Sequence, residues 1–229
     1  MKTESVKRGQ LMIPIAAAVI FTVGMMLTEQ LLAPPYFIKS LIKLLLTVTL
    51  IGIGTALSKR PLKECIRFRK MQKPKNLFII MIAVVPLIWV GFIYLLGNLD
   101  LPTIRQNLMQ KEQLTKGNCL FVFAYITLVN SFLEEAFFRG FLTEAFRRAN
   151  LPQTGTILSA LTFAVYHLGI VDSWLSIPML LLCIAALFAA ALFLQWICDH
   201  YHSMKASWLV HGCANLAINT IGAILIFRL

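Results

Sequence analysis

An all-helical polytopic membrane bundle of about seven transmembrane helices is the fold class this sequence predicts, on three observations. The 229 residues are 59% hydrophobic with a mean hydropathy of +0.78, whereas soluble domains hold about 45–50% apolar residues. Apolar runs near 11–32, 36–57, 77–97, 119–142, 154–171, 176–197 and 206–227 are each about the length that crosses a hydrocarbon core as a helix. The polar residues collect in the gaps between those runs, chiefly at 58–76 and 98–118.

The first run follows basic residues but lacks a small-residue cleavage site and is too long for a signal core, so it reads as an anchor. Between the second and third runs lie Lys59, Arg60, Lys63, Arg67, Arg69, Lys70, Lys73 and Lys75 against the single acid Glu64. The positive-inside rule makes this loop cytoplasmic. Lys2, Lys7 and Arg8 put the N-terminus on the same side, two crossings away. The net charge of +11 is thereby explained as a topology signal that also meets anionic headgroups, and a nucleic-acid partner is not expected. The segment 98–118, with Asp100, Arg105, Lys111, Glu112 and Lys116, then faces outward.

No repeat, Ser/Gly linker or long soluble insertion divides the chain, so residues 1–229 read as a single transmembrane domain. Cys65, Cys119, Cys183, Cys198 and Cys213 are odd in number, scattered and never in a CxxC pair. They read as small apolar side chains rather than a disulfide framework or structural zinc site. Lys39 and Lys43 fit less easily, at the outer end of the second run; they are expected to snorkel or to pair with Glu29 across the hairpin of Pro34 and Pro35.

The fourth run contains Ser-Phe-Leu-Glu-Glu-Ala-Phe-Phe-Arg-Gly over 131–140. A charge near the bilayer centre costs about 2.5–3.5 kcal/mol or more, so such residues pair, line a wet cavity, or both. Glu135 and Arg139 are i and i+4 and share a helix face. Glu134 projects about 100° away and is left without an in-helix partner, the freer carboxylate to serve as a general base. Phe163 and His167 form a second i, i+4 pair and His211 and Asn215 a third. His200 and His202 read as loop residues. A carboxylate, two imidazoles and an amide around a wet pocket can hydrolyse a peptide with water as the nucleophile: Glu134 with His167 takes its proton, and His211 and Asn215 stabilise the oxyanion. One distance resists this. His167 lies about 20 Å along a helix starting near Thr154, while Glu134 sits toward the cytoplasmic end of its run. For the two to meet, that helix must begin deeper or tilt, or residues 140–153 must fold back into the membrane.

In order and on separate runs, Glu-Glu-Ala-Phe-Phe-Arg, Phe-Ala-Val-Tyr-His and His-Gly-Cys-Ala-Asn resemble the EExxxR, FxxxH and HxxxN motifs of the CPBP family. That family comprises CAAX prenyl-protease relatives and bacteriocin-processing or immunity proteins, also called Abi proteins. The resemblance covers roughly residues 119–220, and no motif position is substituted. It implies an intramembrane endopeptidase with its site open to the cytoplasm, acting on a membrane-associated peptide or protein. Glu134, His167, His211 and Asn215 are then catalytic, with Glu135, Arg139 and Phe163 in support. The family has also been described as metalloproteases, and Glu134, His167 and His211 offer a Glu/His/His zinc set. The absence of HExxH and the sufficiency of a Glu/His water-activating scheme favour a reaction without metal. A short chain with a basic cytoplasmic loop is expected to be a bacterial multi-pass membrane protein. The competing readings are a non-catalytic immunity or scaffolding protein and, less favoured for want of an inverted repeat, a proton-coupled transporter. Substrate, cleavage position and oligomeric state do not follow from the motifs.

Overall fold

A computed structural model describes residues 11–59, 61–65, 68–71, 74–171 and 175–228; Lys2, Lys7, Arg8, Arg60, Arg67 and Lys73 of the predicted topology signal lie outside them. Helices are the only regular structure among the described residues, which contain no strand. Helix α1 spans Met12–Leu32 and α2 Tyr36–Leu57. A short α3, Leu62–Cys65, precedes α4, Pro74–Asn98, and α5, Leu101–Gln106. Then come α6, Cys119–Arg148, α7, Pro152–Val171, α8, Ile177–His200, and α9, Met204–Phe227.

Six of these, α1, α2, α4, α6, α8 and α9, are long and apolar enough to cross a membrane. The seventh expected crossing, 154–171, is the helix α7, which is not among them. The reason lies in its residues. It opens on Pro152-Gln-Thr-Gly-Thr and carries Tyr166 and His167 near its end, and its Ser159, Phe163, Ala164 and Tyr166 are buried in protein. α7 packs against α1, α8 and the end of α6, so its buried polar side chains meet protein while Ile157 and Leu161 stay exposed. By contrast, α4 has no buried residue except Leu77 and lies at the periphery against α9.

Apolar burial does not drive transmembrane helices together, because lipid is as apolar as leucine; close packing and polar contacts do. The core is accordingly aromatic and tight. Phe21 of α1 stacks on Phe137 with centroids 4.5 Å apart and meets Phe138 and Tyr166 edge-on at 5.6 and 5.5 Å. Such pairs each contribute about 0.5–1.5 kcal/mol beyond their buried area. Two glycines let helices approach. A Cβ on Gly155 would lie 2.5 Å from Phe146 Cβ, and one on Gly212 would lie 3.1 Å from the Thr127 carbonyl oxygen.

Helix α6 is the axis of the site. It is wound as a π-helix over Ile126–Asn130 and again over Ala136–Leu142, with an α-helical turn, Ser131–Glu135, between. π-turns are rare and concentrate at functional sites, and here they flank the carboxylate pair. The helix ends at Asn150, whose left-handed φ of 59° turns the chain into α7.

That hairpin resolves the depth of His167. α6 runs past the predicted limit of 142 to Arg148, which places Glu134 near the middle of a 30-residue helix. Fourteen residues separate Glu134 from Arg148, and fifteen separate Pro152 from His167. At about 1.5 Å per residue both lie about 21–23 Å from the turn. The two arms are thus in register, without residues 140–153 folding back.

Candidate active site

Each group is delivered by a different helix. α6 supplies Glu134, Glu135 and Arg139, all buried, and α9 crosses it antiparallel. Polar contacts fix that crossing: Trp208 Nε1 donates to Leu128 O at 3.0 Å and to Ser131 Oγ at 3.1 Å, and Asn219 Nδ2 donates to Phe123 O at 3.1 Å. His211 follows one turn after Trp208, with Gly212 beside it at the closest approach of the two helices.

His211 joins the adjacent carboxylates. Its Nδ1 lies 2.9 Å from Glu135 Oε1, and its Nε2 lies 3.5 Å from Glu134 Oε2. An ionised carboxylate only accepts, so Nδ1 donates to Glu135. Glu135 Oε1 also meets Arg139 Nη1 at 3.3 Å, the predicted i, i+4 pair. Arg139 Nη2 donates to Ala191 O of α8 at 3.1 Å, and its guanidinium lies 4.8 Å from the centre of the Phe163 ring. Phe163 stands between the two histidines, 4.6 Å from the His167 ring and 5.9 Å from that of His211. It is both core and support for the guanidinium.

His167 Nδ1 is 2.7 Å from the Phe163 carbonyl oxygen and therefore donates to it. In the neutral ring this leaves Nε2 with the lone pair, the form a base needs. The ring lies tilted by 46° against that of Tyr166, with centroids 4.0 Å apart, and Tyr166 Oη donates to Glu134 Oε1 at 2.5 Å, so α7 reaches the carboxylate through Tyr166.

Glu134 differs from the expectation of a carboxylate without an in-helix partner. Asn130, one turn earlier, donates to Glu134 Oε1 at 2.8 Å. Lys43 of α2 pairs with the same oxygen at 2.5 Å. The predicted partner of Lys39 is present, since its Nζ lies 2.6 Å from Glu29 Oε2, with Glu112 Oε1 at 2.8 Å. Lys43 behaves otherwise: one turn farther along α2 it lies beyond Glu29 and meets the fourth apolar run instead. Tyr166 lay inside a quoted motif and Asn130 four residues before one, so i, i+4 spacing could have flagged Asn130. Lys43 carried only its misfit with the positive-inside pattern as a signal.

Asn215 stands apart from this cluster. It is half-buried one turn beyond His211, and its Nδ2 donates to Ile126 O in the first π-turn at 3.2 Å. That bond occupies one of its two amide hydrogens. His200 is the last residue of α8, with its ring stacked on Trp196 at 5.1 Å, clear of the cluster. Cys119, Cys183 and Cys213 are free thiols.

The proposed zinc set fits this arrangement poorly. Among the described residues no three His, Cys, Asp or Glu side chains converge as metal ligands. An ammonium also sits on Glu134 Oε1, where a divalent cation would meet a like charge.

Residues 116–217 match the family model of type II CAAX prenyl endopeptidases, Rce1-like. Over that stretch the chain is similar to the CPBP, CAAX-protease-like family of membrane-embedded endopeptidases. The matched stretch begins just before α6 and ends in α9, so it holds all three motifs and leaves out α1 to α5. Neither the curated proteins nor the solved structures contain a match to the chain.

Proposed function

We propose that the chain cleaves a membrane-associated peptide or protein within the bilayer, with Glu134 and His167 activating water. The observation that carries this reading is the opposition of Glu134 Oε2 and His211 Nε2 across the α6–α9 crossing at 3.5 Å. The oxygen of a water attacks the scissile carbonyl carbon while its proton passes to Glu134. His211 Nε2–H and the second amide hydrogen of Asn215 stabilise the oxyanion. As Nδ1 already donates to Glu135, a donating Nε2 requires the doubly protonated ring. Collapse then breaks the C–N bond, and the proton held by Glu134 moves to the leaving nitrogen, so one water is consumed to give a carboxylic acid and an amine, which exchange a proton to leave as carboxylate and ammonium. Glu135 and Arg139 hold the His211 ring in place.

Nothing in this scheme routes through a metal. Elemental analysis of active, purified protein tests that feature, and stoichiometric zinc would replace it with a metal-assisted reaction. The family model points to a prenylated Cys-aliphatic-aliphatic-X sequence as the first substrate to try; processing of a bacteriocin-like peptide is the alternative. The basic loop and the N-terminus are assigned to the cytoplasmic side, with the site opening there. The deciding experiment compares wild-type and Glu134→Ala protein in liposomes on a quenched fluorogenic peptide bearing that prenylated terminus. Cleavage lost in the variant at equal insertion supports the reading. Cleavage retained by the variant refutes Glu134 as the base.

A further inference from the structure

The two oxygens of Glu134 have opposite surroundings. Oε1 accepts from three donors on three helices: Lys43 Nζ of α2 at 2.5 Å, Asn130 Nδ2 of α6 at 2.8 Å and Tyr166 Oη of α7 at 2.5 Å. The donors also brace one another, because Lys43 Nζ donates to Asn130 Oδ1 at 2.6 Å and to Tyr166 Oη at 3.1 Å. Oε2, in contrast, is buried with no hydrogen-bond partner among the described residues, and only His211 Nε2 stands near it, at 3.5 Å.

A buried acceptor without a partner costs about 1–3 kcal/mol and is rare in native proteins. Such an atom in a candidate active site marks where a water or substrate donor belongs. Oε1, with three donors, has no capacity left to accept a fourth proton donor. Glu135 Oε2 is likewise buried without a hydrogen-bond partner among the described residues, but both charged partners of that carboxylate, Arg139 and His211, lie on Oε1 and neither comes from outside the motif-bearing helices.

We propose that Glu134 acts through Oε2 alone, with Oε1 clamped by Lys43, Asn130 and Tyr166, which makes Lys43 a positioning residue contributed from outside the family-matched segment. This rests on the peptidase reading above. It deepens that reading by assigning the reacting oxygen and by making α2 part of the machinery. The clamp fixes the carboxylate about its last torsion, so that the free oxygen points at the His211 side, where the attacking water is held. Misplacement of a reacting group by about 1 Å costs on the order of a hundredfold in rate, so a clamp on the base acts on turnover rather than on substrate binding.

The test uses full-length protein in liposomes, the prenylated fluorogenic peptide, and Tyr166→Phe, Lys43→Met and Lys43→Arg variants. Tyr166→Phe removes one donor and nothing else, and is expected to lower kcat about tenfold with KM within about twofold. Lys43→Met lowers kcat about a hundredfold, and Lys43→Arg, which keeps a charged donor, recovers part of that loss. Unchanged kcat in both Tyr166→Phe and Lys43→Met overturns the clamp, as does a loss confined to KM. A thermal double-mutant cycle of Lys43→Met with Glu134→Gln supplies an arm that needs no substrate. The clamp requires the double variant to melt above Lys43→Met, because the uncompensated buried charge is then gone. Additive shifts overturn it. Failure of the wild type to cleave the peptide refutes the choice of substrate, while the thermal cycle still decides the clamp.

Discussion

Lys39 and Lys43 are buried ammonium groups one turn apart on the same helix, and they end in different kinds of site. Lys39 is locked between Glu29 of α1 and Glu112 of the segment after α5, with side-chain exposures of 4%, 7% and 8%. Among the described residues no buried oxygen of that pair of carboxylates lacks a hydrogen bond. Lys43 shares one carboxylate with an amide and a phenol, and the far oxygen of that carboxylate is left open beside an imidazole. Burial of charge is common to both. What distinguishes a reacting site from a helix fastener is an acceptor that the protein's own donors leave unpaired, since a satisfied network has nothing further to bind.

The sharpest way to break this contrast is to exchange the consequences of the two sites. Glu134→Gln is expected to lower kcat by about a thousandfold or more, within the range of general-base contributions, and to lower the melting temperature as well, because the Lys43 ammonium is left buried without its carboxylate. Single-turnover assays beside thermal melts read both effects. Lys39→Met should affect stability alone. It strips the cation from two buried carboxylates, at about 3–5 kcal/mol, and the folded yield falls while kcat per folded molecule is kept. A Lys39→Met protein that melts normally but turns over slowly would show that both lysines serve the reaction.

Asn215→Ala sharpens the boundary of the site. If its second amide hydrogen meets the oxyanion, kcat falls about a hundredfold. If only the Ile126 bond matters, the protein loses about 0.6–2 kcal/mol of stability with turnover preserved. The first outcome is expected, because the Ile126 bond leaves that hydrogen uncommitted. The smallest effect belongs to the polar rim. Asp100 caps α5 by accepting from the Thr103 hydroxyl at 2.7 Å and from its N–H at 3.1 Å, and these bonds hold its carboxyl below the ordinary value. A depressed carboxyl stabilises the fold above the unfolded carboxylate range and stops doing so as pH falls through the folded value. Asp100→Ala therefore lowers the melting temperature slightly at neutral pH, and the difference from wild type closes on acidification.

The motif residues were legible as a set because helical spacing carries two of the three i, i+4 relations directly into space: Glu135 meets Arg139, and Phe163 meets His167. His211 and Asn215 share a face, as spacing requires, yet only His211 touches the carboxylates, because the antiparallel crossing moves Asn215 one turn toward Ile126. The helices themselves were visible as apolar runs. α7 falls outside the six helices that are long and apolar enough to cross a membrane because Pro152-Gln-Thr-Gly-Thr, Tyr166 and His167 dilute its leucines and valines.

Composition and periodicity alone determined that this chain is a helical membrane protein and which carboxylates, imidazoles and amide are out of place in lipid, since a charge or amide there must be answered wherever it occurs. Only the tertiary structure decided who answers each one. Lys43 and Glu134 are 91 positions apart, and no local rule connects them. Their pairing, and the choice of which Glu134 oxygen stays open, follow from how α2, α6, α7 and α9 pack around one point.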